Sequence, residues 1–433
     1  MMRIFPNAQK RSSAILLRTM ASPGETVGRD ILEPELLPAD CRRRPCRNDQ
    51  TVYRDPGREM RKQRAYRFRI YPDREQEKLI HKTFGCCRFL YNRMLSERKE
   101  IYEKTGKTAR LTPARYKKEF SWLKEVDSLA LANVQLHLEA AYKKFFEEGK
   151  TGFPKFKSKH RSRKSYTTNV VNGNIRLENG RLRLPKVGSI KIRQHRPIPE
   201  GYKLKSVTVS MEGSGKYNAS LLYEYSVSES QAAGKVPEEM NILGIDFAMR
   251  GLAVFSNGEK AGYPMYYRSS GKKLAREQRK LSHCQRGSRG YEKQRKTVAK
   301  WHEKIRNQRR DYLHKLSREI ADRYDAVSVE DIDMRAMSRC LNFGKSVMDD
   351  SFGKFRDMLR YKLEERGKEL VKTDRFFPSS KMCSRCGKVK EKLSLSERVY
   401  QCECGNCMDR DVNAAVNIRE EGRRLLKKLS AAA

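Results

Sequence analysis

The last quarter of the chain decides the reading: CSRC at residues 383–386 and CEC at 402–404 are followed within a few residues by DRDVNAA at 409–415. Cysteine thiolates at this spacing favour tetrahedral Zn2+. Closing four sulfurs around the ion leaves no open coordination position, so the expected role of Cys383, Cys386, Cys402 and Cys404 is structural, with one zinc held. Cys407 stands close enough in sequence to replace Cys402 or Cys404. In finger peptides such a metal is worth roughly 10 to 16 kcal/mol, enough to dominate the folding of so short a module. Directly after it, Asp411 opens a helical pattern, and a carboxylate presented at a helix start beside a metal-folded module directs attention to the other acids of the chain.

Two of these acids occupy strand ends. NILGIDFAMRGLAVF (241–255) reads as two apolar strands joined at Arg250-Gly251, with Asp246 in the first, and YDAVSVEDI (324–332) reads as a buried strand ending in Glu330. Between them a Lys- and Arg-rich helical stretch runs from Lys272 to Asp322 with an apolar stripe of Val298, Trp301, Ile305, Tyr312, Leu316 and Ile320. A helix over 352–366 and a strand in KELVKTD (368–374) follow, and this alternation indicates an α/β sheet. Phosphodiester hydrolysis uses hard oxygen ligands that hold two Mg2+ ions about 3.5 to 4 Å apart. Asp246, Glu330 and Asp411 are the carboxylates suited to that work, although an aspartate at a helix start is by itself more often a cap than a ligand.

The N-terminal half has a different texture. RAYRFRIYP (64–72) alternates apolar and basic residues as a strand does, Pro72 ends it, and Asp73 caps a helix with Gln76 at its third position. Leu79, Ile80, Phe84 and Cys87, then Val134, Leu138, Ala141 and Phe145, follow at helical spacing, which makes Cys86 and Cys87 buried thiols of a helical core. GFPKFKSKHRSRKSY (152–166) interleaves Lys155, Lys157, Lys159, Arg161, Arg163 and Lys164 with Phe153, Phe156 and Tyr166, a pattern suited to phosphates and stacked bases. From 174 to 226 short alternating runs such as LKSVTVSM and YNASLLYEYSV are separated by Glu178-Asn179-Gly180 and Gly213-Ser214-Gly215, so a small sheet or barrel that includes residues 64–71 is expected.

Composition sets the outer bounds. With 94 Lys+Arg against 53 Asp+Glu over 433 residues the formal charge is +41, and such a surface attracts polyanions, nucleic acid first among them. No run approaches the roughly 20 apolar residues of a membrane span, so no membrane partner is expected. The cysteines crowd at metal-ligand spacing with no secretory segment before them, which fits a reducing cytoplasm. Residues 1–59 lack periodicity and read as a disordered extension or leader, with Met60 as a candidate start.

At these residues the chain resembles the TnpB family, transposon-encoded RNA-guided DNA endonucleases related to compact type V CRISPR effectors. The resemblance runs from about Met60 to Arg423 through RAYRFRIYP, FGCCRFLYN, GIDFAMRGLAVF, LHKLSREIADRYDAVSVED, FFPSSKMCSRCG and DRDVNAAVNI. It implies an α+β multidomain fold: a wedge β-barrel (60–72 and 165–228) with a helical recognition insertion (73–164), a linker (229–240), then a RuvC-type RNase H-like α/β domain (241–380 and 409–433) interrupted by a zinc ribbon (381–408). It carries the three RuvC acids onto Asp246, Glu330 and Asp411, with Asp409 as runner-up for the last. Implied partners are a guide RNA from the transposon end and double-stranded target DNA, cut beside a short adjacent motif, in a monomer associated with the cytoplasmic nucleoid. Basic helices from 272 onward, beginning with Lys272, Lys273, Arg276 and Arg279, would flank the paired guide and target. The leader and the shortened C-x-C knuckle depart from the family pattern. Rival readings are a DNA-joining transposase, whose acids would usually run Asp, Asp, Glu rather than Asp, Glu, Asp, a catalytically silent RNA-guided DNA binder, and a zinc-ribbon RNA-binding protein.

Overall fold

Alternation in the first strand builds the N-terminal half: Tyr66, Phe68 and Ile70 are buried while the arginines between them stay partly exposed. The computed structural model describes residues 60–148, 151–227, 237–248, 251–332, 351–394 and 396–431, so the expected leader, most of the linker and the Arg250-Gly251 junction's arginine lie outside the described residues. Strand β1 (Met60–Tyr71) pairs antiparallel with β7 (Tyr217–Val227) along nearly its whole length and with β5 (Gly188–Arg193) at its end. With β2 (Lys164–Asn169), β3 (Arg176–Glu178), β4 (Arg181–Leu184) and β6 (Lys203–Met211) they form a seven-stranded sheet in the order β2-β6-β7-β1-β5-β4-β3. Among the described residues no ladder joins β2 to β3, so the expected barrel is a half-barrel left open along that seam. The β3–β4 turn carries Asn179 at φ 49° and Gly180 at φ 68°, the paired left-handed residues that a two-residue hairpin requires.

Helices α1 (Arg74–Thr105), α2 (Pro113–Glu119) and α3 (Ser128–Glu147) are inserted between β1 and β2. Asp73 caps α1 by accepting from the Gln76 backbone N–H at 2.9 Å, and the Gln76 side chain accepts from the Asp73 N–H at 3.1 Å. Ile80, Phe84, Leu90, Leu131 and Leu138 join Phe68, Val207 and Leu221 in a single core, so helices and half-barrel fold against one another. Cys86 and Cys87 belong to that core, and burial pushes their thiols up to about 11 and about 12. Tyr166 is also core, which corrects its expected place as a stacking face of the basic strip: it stands on β2 beneath α1 rather than on the surface.

The second half is a four-stranded sheet, β11 (Glu369–Thr373), β10 (Ala326–Glu330), β8 (Ile242–Asp246) and β9 (Val254–Phe255) in that order, with β10 parallel to both neighbours and β9 antiparallel. Parallel strands need long crossovers. These are α4 (Tyr266–His283) with α5 (Arg289–Arg323), and α6 (Phe352–Glu364). The single helical stretch expected from Lys272 to Asp322 is therefore two helices. Gly287 at φ 86° breaks the run, and Ser288 caps α5 by accepting from the Tyr291 N–H at 3.0 Å. The apolar stripe lies wholly on α5 and serves two neighbours: Val298 and Ile305 pack on Leu274 of α4, whereas Ile320, with Leu313, packs on the sheet. The two halves are joined where Glu212, between β6 and β7, accepts from Arg67 of β1 and from Arg306 of α5, the latter at 3.0 Å. Among the described residues no helix is long and apolar enough to cross a membrane.

Each face of this second sheet has its own cover. Leu243, Ile245, Val327 and Val329 pack on α5 and α6 through Leu313, Ile320, Phe355 and Leu359. Ile242, Ala326 and Val371, on the opposite face, pack on Leu426 of the terminal helix α7 (Arg410–Ala431). That helix lies unusually close: a Cβ on Gly244 would stand 2.0 Å from the Ala415 carbonyl oxygen, and one on Gly422 would stand 2.4 Å from Ser328 Oγ and 2.5 Å from its Cβ. Gly244→Ala should therefore destabilise the chain by at least the roughly 1–3 kcal/mol typical of overpacking. Ser328→Gly should restore most of what Gly422→Ala loses and nothing of what Gly244→Ala loses. Denaturant midpoints measure all four, and a Gly244→Ala midpoint equal to wild type would show that α7 does not sit this close.

Candidate active site and cysteine module

Asp246 is the last residue of β8 and Glu330 the last of β10, and because Val329 lies opposite Ile245 the two strand ends are level. Side chains alternate along a strand, so Asp246 shares the face of Gly244 and Glu330 that of Ser328, the face covered by α7. Asp411 stands in the first turn of α7. Ala415, one turn further on, is the residue seated over Gly244. The three acids are thus brought to one place by two strand ends and one helix start. Burial, then the carboxylates of Asp411 and Glu330, push the Asp246 carboxyl up to about 7 against the opposing pull of Arg410. Burial pushes Glu330 up as well.

Asp409 has another task. Its Oδ1 accepts from the backbone N–H groups of Asp411 and Val412 at 2.9 and 3.4 Å, capping α7, and its Oδ2 meets Lys260 Nζ at 3.2 Å. Burial alone would raise this carboxyl, but the Asp411 N–H and Lys260 hold it below the usual carboxylate range. Asp331, next to Glu330, is surrounded by Arg356, Lys372 and Arg375 at 3.3, 3.8 and 3.9 Å.

The four sulfurs of Cys383, Cys386, Cys402 and Cys404 lie within 4.8 Å of one another, the set among the described residues that meets this single-ion test. Cys383 and Cys404 are 3.6 Å apart, as are Cys386 and Cys402. A tetrahedron with metal–sulfur bonds of about 2.3 Å has edges of about 3.8 Å, so the donor set fits zinc. Cys407 is exposed on β13 (Cys407–Asp409), paired with β12 (Val399–Gln401), and is outside the cluster. Burial pushes the Cys383 thiol up, and N–H groups of Cys386, Arg385 and Asn406 outweigh it, bringing it down to about 6.

Two buried asparagines fasten this module to α7. Asn413 accepts from the Ser384 N–H at 3.0 Å and donates to the Met382 carbonyl at 2.7 Å, while Asn417 donates to the carbonyls of Ser379 and Met382 at 2.8 and 2.7 Å. Sequence reading passed over both. Their signal was available: asparagines spaced by four on the apolar face of a helix need buried partners.

The basic residues are less unified. Lys155, Lys159, Arg161 and Arg163 are exposed, but Lys157 is half-buried with its ammonium 3.9 Å over the Tyr91 ring and its backbone bonded to Asn92. Lys272, Lys273, Arg276 and Arg279 are exposed on α4, where Arg276 also approaches Glu277 at 3.4 Å. Arg161 and Arg163, but none of these α4 residues, line a cleft of about 1040 Å3 between the half-barrel and α5–α6. Its walls carry ten lysines and arginines against two glutamates, a lining suited to a polyanion. Arg67, Arg295, Arg306 and Arg310 contribute, none of them singled out by sequence, because the cleft forms only when β1 and α5 meet. It contains none of the three acids.

Residues 220–341 match a family described as "Probable transposase", 352–418 a "Cas12f1-like, TNB domain", and 60–107 a "Helix-turn-helix domain". In that last segment the chain forms one strand and one 32-residue helix. A Streptomyces pristinaespiralis protein named "Putative RNA-guided DNA endonuclease" is 36% identical over 369 residues, covering 83% of this chain and 89% of its own. The Escherichia coli K12 protein InsQ, with the same description, is 29% identical over 390 residues, 85% of this chain and 94% of its own. The fold is similar to the protein in a "Cas12f1-sgRNA-target DNA complex", with a TM-score of 0.50 and 16% identity over 83% of this chain and 99% of that one.

The crowding of carboxylates has a cost in stability. A carboxyl raised from its ordinary 3.8 to about 7 favours folding fully only below pH 4, and that contribution is lost as pH rises through 7. Without added divalent ions, Asp246→Asn should therefore be more stable than wild type at pH 8, by at most about 4 kcal/mol. The gap should close toward pH 4, as followed by thermal melts across that range; a gap independent of pH would mean that neither burial nor its neighbours raise the Asp246 carboxyl.

Proposed function

Because the chain belongs to the TnpB (IS605 OrfB) family of transposon-associated proteins, we propose that it is an RNA-guided, Mg2+-dependent DNA endonuclease that cuts target DNA at a RuvC-type site formed by Asp246, Glu330 and Asp411. The observation that carries this reading is the convergence of three acids under α7, with Asp246 held at about 7 by burial and by its two neighbours. Hard oxygen donors with uncompensated repulsion fit divalent cations, whose charge offsets it. The three do not form a set within the 4.8 Å that describes the cysteines. Two bound Mg2+ ions would supply activation of the attacking water and stabilisation of the leaving oxygen.

The chain's own part is positional. Strand ends fix Asp246 and Glu330, and the Asp409 cap, the asparagine contacts and the glycine seats fix Asp411. One chain supplies all three acids, so a single copy completes the site. The cysteine module, with one structural Zn2+ on Cys383, Cys386, Cys402 and Cys404, holds the start of α7 and does no chemistry. Guide RNA and target DNA are the polyanions for which the basic cleft, the strip at 155–163 and α4 are suited. Base pairing supplies the specificity.

The test is cleavage of a matched duplex by the guide-loaded chain. Asp246→Ala, Glu330→Ala and Asp411→Ala should each abolish Mg2+-dependent cutting while RNA affinity stays near wild type. Asp409→Ala should cut, with the roughly 0.5–2 kcal/mol loss of stability expected from a lost cap. Full cutting by the three alanine variants would remove the assignment, and joined rather than cleaved products would favour a transposase. Metal analysis should find about one zinc per chain from one four-ligand site, unchanged in Cys407→Ser and lost in Cys383→Ser.

A further inference from the structure

Phe376 is the most exposed large apolar side chain among the described residues, at 88%. It is not on a loose end. Its backbone N–H donates to Asp374 Oδ1 at 2.7 Å, the Phe377 N–H to the Asp374 carbonyl at 3.2 Å, and the Ser379 N–H to the Phe377 carbonyl at 2.8 Å. The turn is tied at both ends to elements that carry the acids. Thr373, the last residue of β11, lies directly opposite Glu330 across the ladder, and the Ser379 carbonyl accepts from Asn417 of α7, the helix that bears Asp411. Arg375, beside Phe376, reaches Asp331, the residue after Glu330, donating from Nε to its carbonyl at 3.4 Å.

An aromatic ring held rigidly in solvent gains little from folding, and a chain that merely needed a turn here could place a polar residue there. Bases flanking a phosphodiester at the acids would emerge at this rim. Aromatic faces beside cationic side chains are the usual platform for unpaired bases, whose stacking tolerates any sequence. From this placement we propose that Phe376 stacks on a base of the unpaired DNA strand as that strand enters the acidic pocket, with Arg375 and Lys372 contributing positive charge toward its backbone. Phe376 is then a substrate-positioning residue of the nuclease proposed above, on which the assignment rests.

The experiment uses the full chain loaded with guide RNA and a target duplex carrying an unpaired bubble at the cut region. Phe376→Ala should raise the KM for that DNA about tenfold, the lower part of the range for one lost base stack, with kcat unchanged. Phe376→Trp should restore it and Phe376→Leu should not, because leucine keeps the apolar surface but has no face to stack. Binding is read independently of cleavage: in Ca2+, a single-stranded oligonucleotide should quench the added emission of Phe376→Trp, with the signal of the wild type's own tryptophans subtracted. An unchanged KM in Phe376→Ala, equal rescue by leucine, or an unquenched tryptophan overturns the assignment. Absence of cutting by the wild type together with quenching would instead overturn the nuclease and leave the stacking contact standing.

Discussion

Everything at the acidic site depends on how close one helix comes to one sheet. A side chain of even one carbon at Gly244 would collide with the backbone of α7 at Ala415, and backbone cannot rotate away as a side chain can. At Gly422 the close neighbour is Ser328, so strand and helix exchange roles as the small partner. Two glycines, one on each element, let helix and sheet meet at a depth where a short aspartate in the helix's first turn reaches carboxylates at the strand ends. With ordinary apolar residues between them, helix and sheet would stand further apart and the third acid would be out of range.

Depth alone does not set where α7 begins, and the cysteine module answers that second requirement. Asn413 and Asn417 are both buried, and each makes its bonds to the backbone of residues 379–384 leading into and through the first knuckle. Asp409 caps the helix from the module's last strand and is steadied by Lys260 from the loop after β9. The helix is thus gripped at its start by hydrogen bonds from Asp409, Asn413 and Asn417. The four-cysteine insert immediately before Asp411 acts as a jig for that acid, which explains why the cysteine cluster and the carboxylate occur side by side in the same stretch of chain.

How far the sequence disclosed this differs with the interaction concerned. Local signals were readable: the Asp73–Gln76 capping box, the Asn179-Gly180 hairpin, the four cysteines at metal-ligand spacing and the apolar strands ending in Asp246 and Glu330 follow from near neighbours in the chain. What escaped depends on distant partners. The division of the long basic stretch at Gly287 was hidden because lysines and arginines continue on both sides of it, while the apolar stripe lies wholly on α5 and serves α4 with its first part and the sheet with its last. Tyr166 resembled a stacking residue because it follows a basic run, yet its strand folds beneath α1. The basic cleft could not be read from any segment, since β1, the 160s and α5 each contribute only a few of its arginines. The RuvC reading of the acids came through family resemblance; composition and spacing alone pointed only to carboxylates suited to metal.

The distribution of charge explains why a chain this basic can hold an acidic pocket. Asp246 is buried, and that burial, with Asp411 and Glu330 beside it, pushes its carboxyl well above the usual carboxylate range. A surrounding shell of cations would relieve it, yet the nearby lysines and arginines are directed elsewhere: Lys260 to Asp409, and Arg356, Lys372 and Arg375 to Asp331. Arg410 acts on Asp246 as a favourable charge, and the Phe247 N–H as a favourable hydrogen bond. Among the described residues, the neighbouring acids Asp409 and Asp331 therefore engage Lys260, Arg356, Lys372 and Arg375. The excess of lysine and arginine faces outward instead, as in the cleft lined by Arg67, Arg161, Arg163 and Arg306, where a nucleic-acid backbone can meet it.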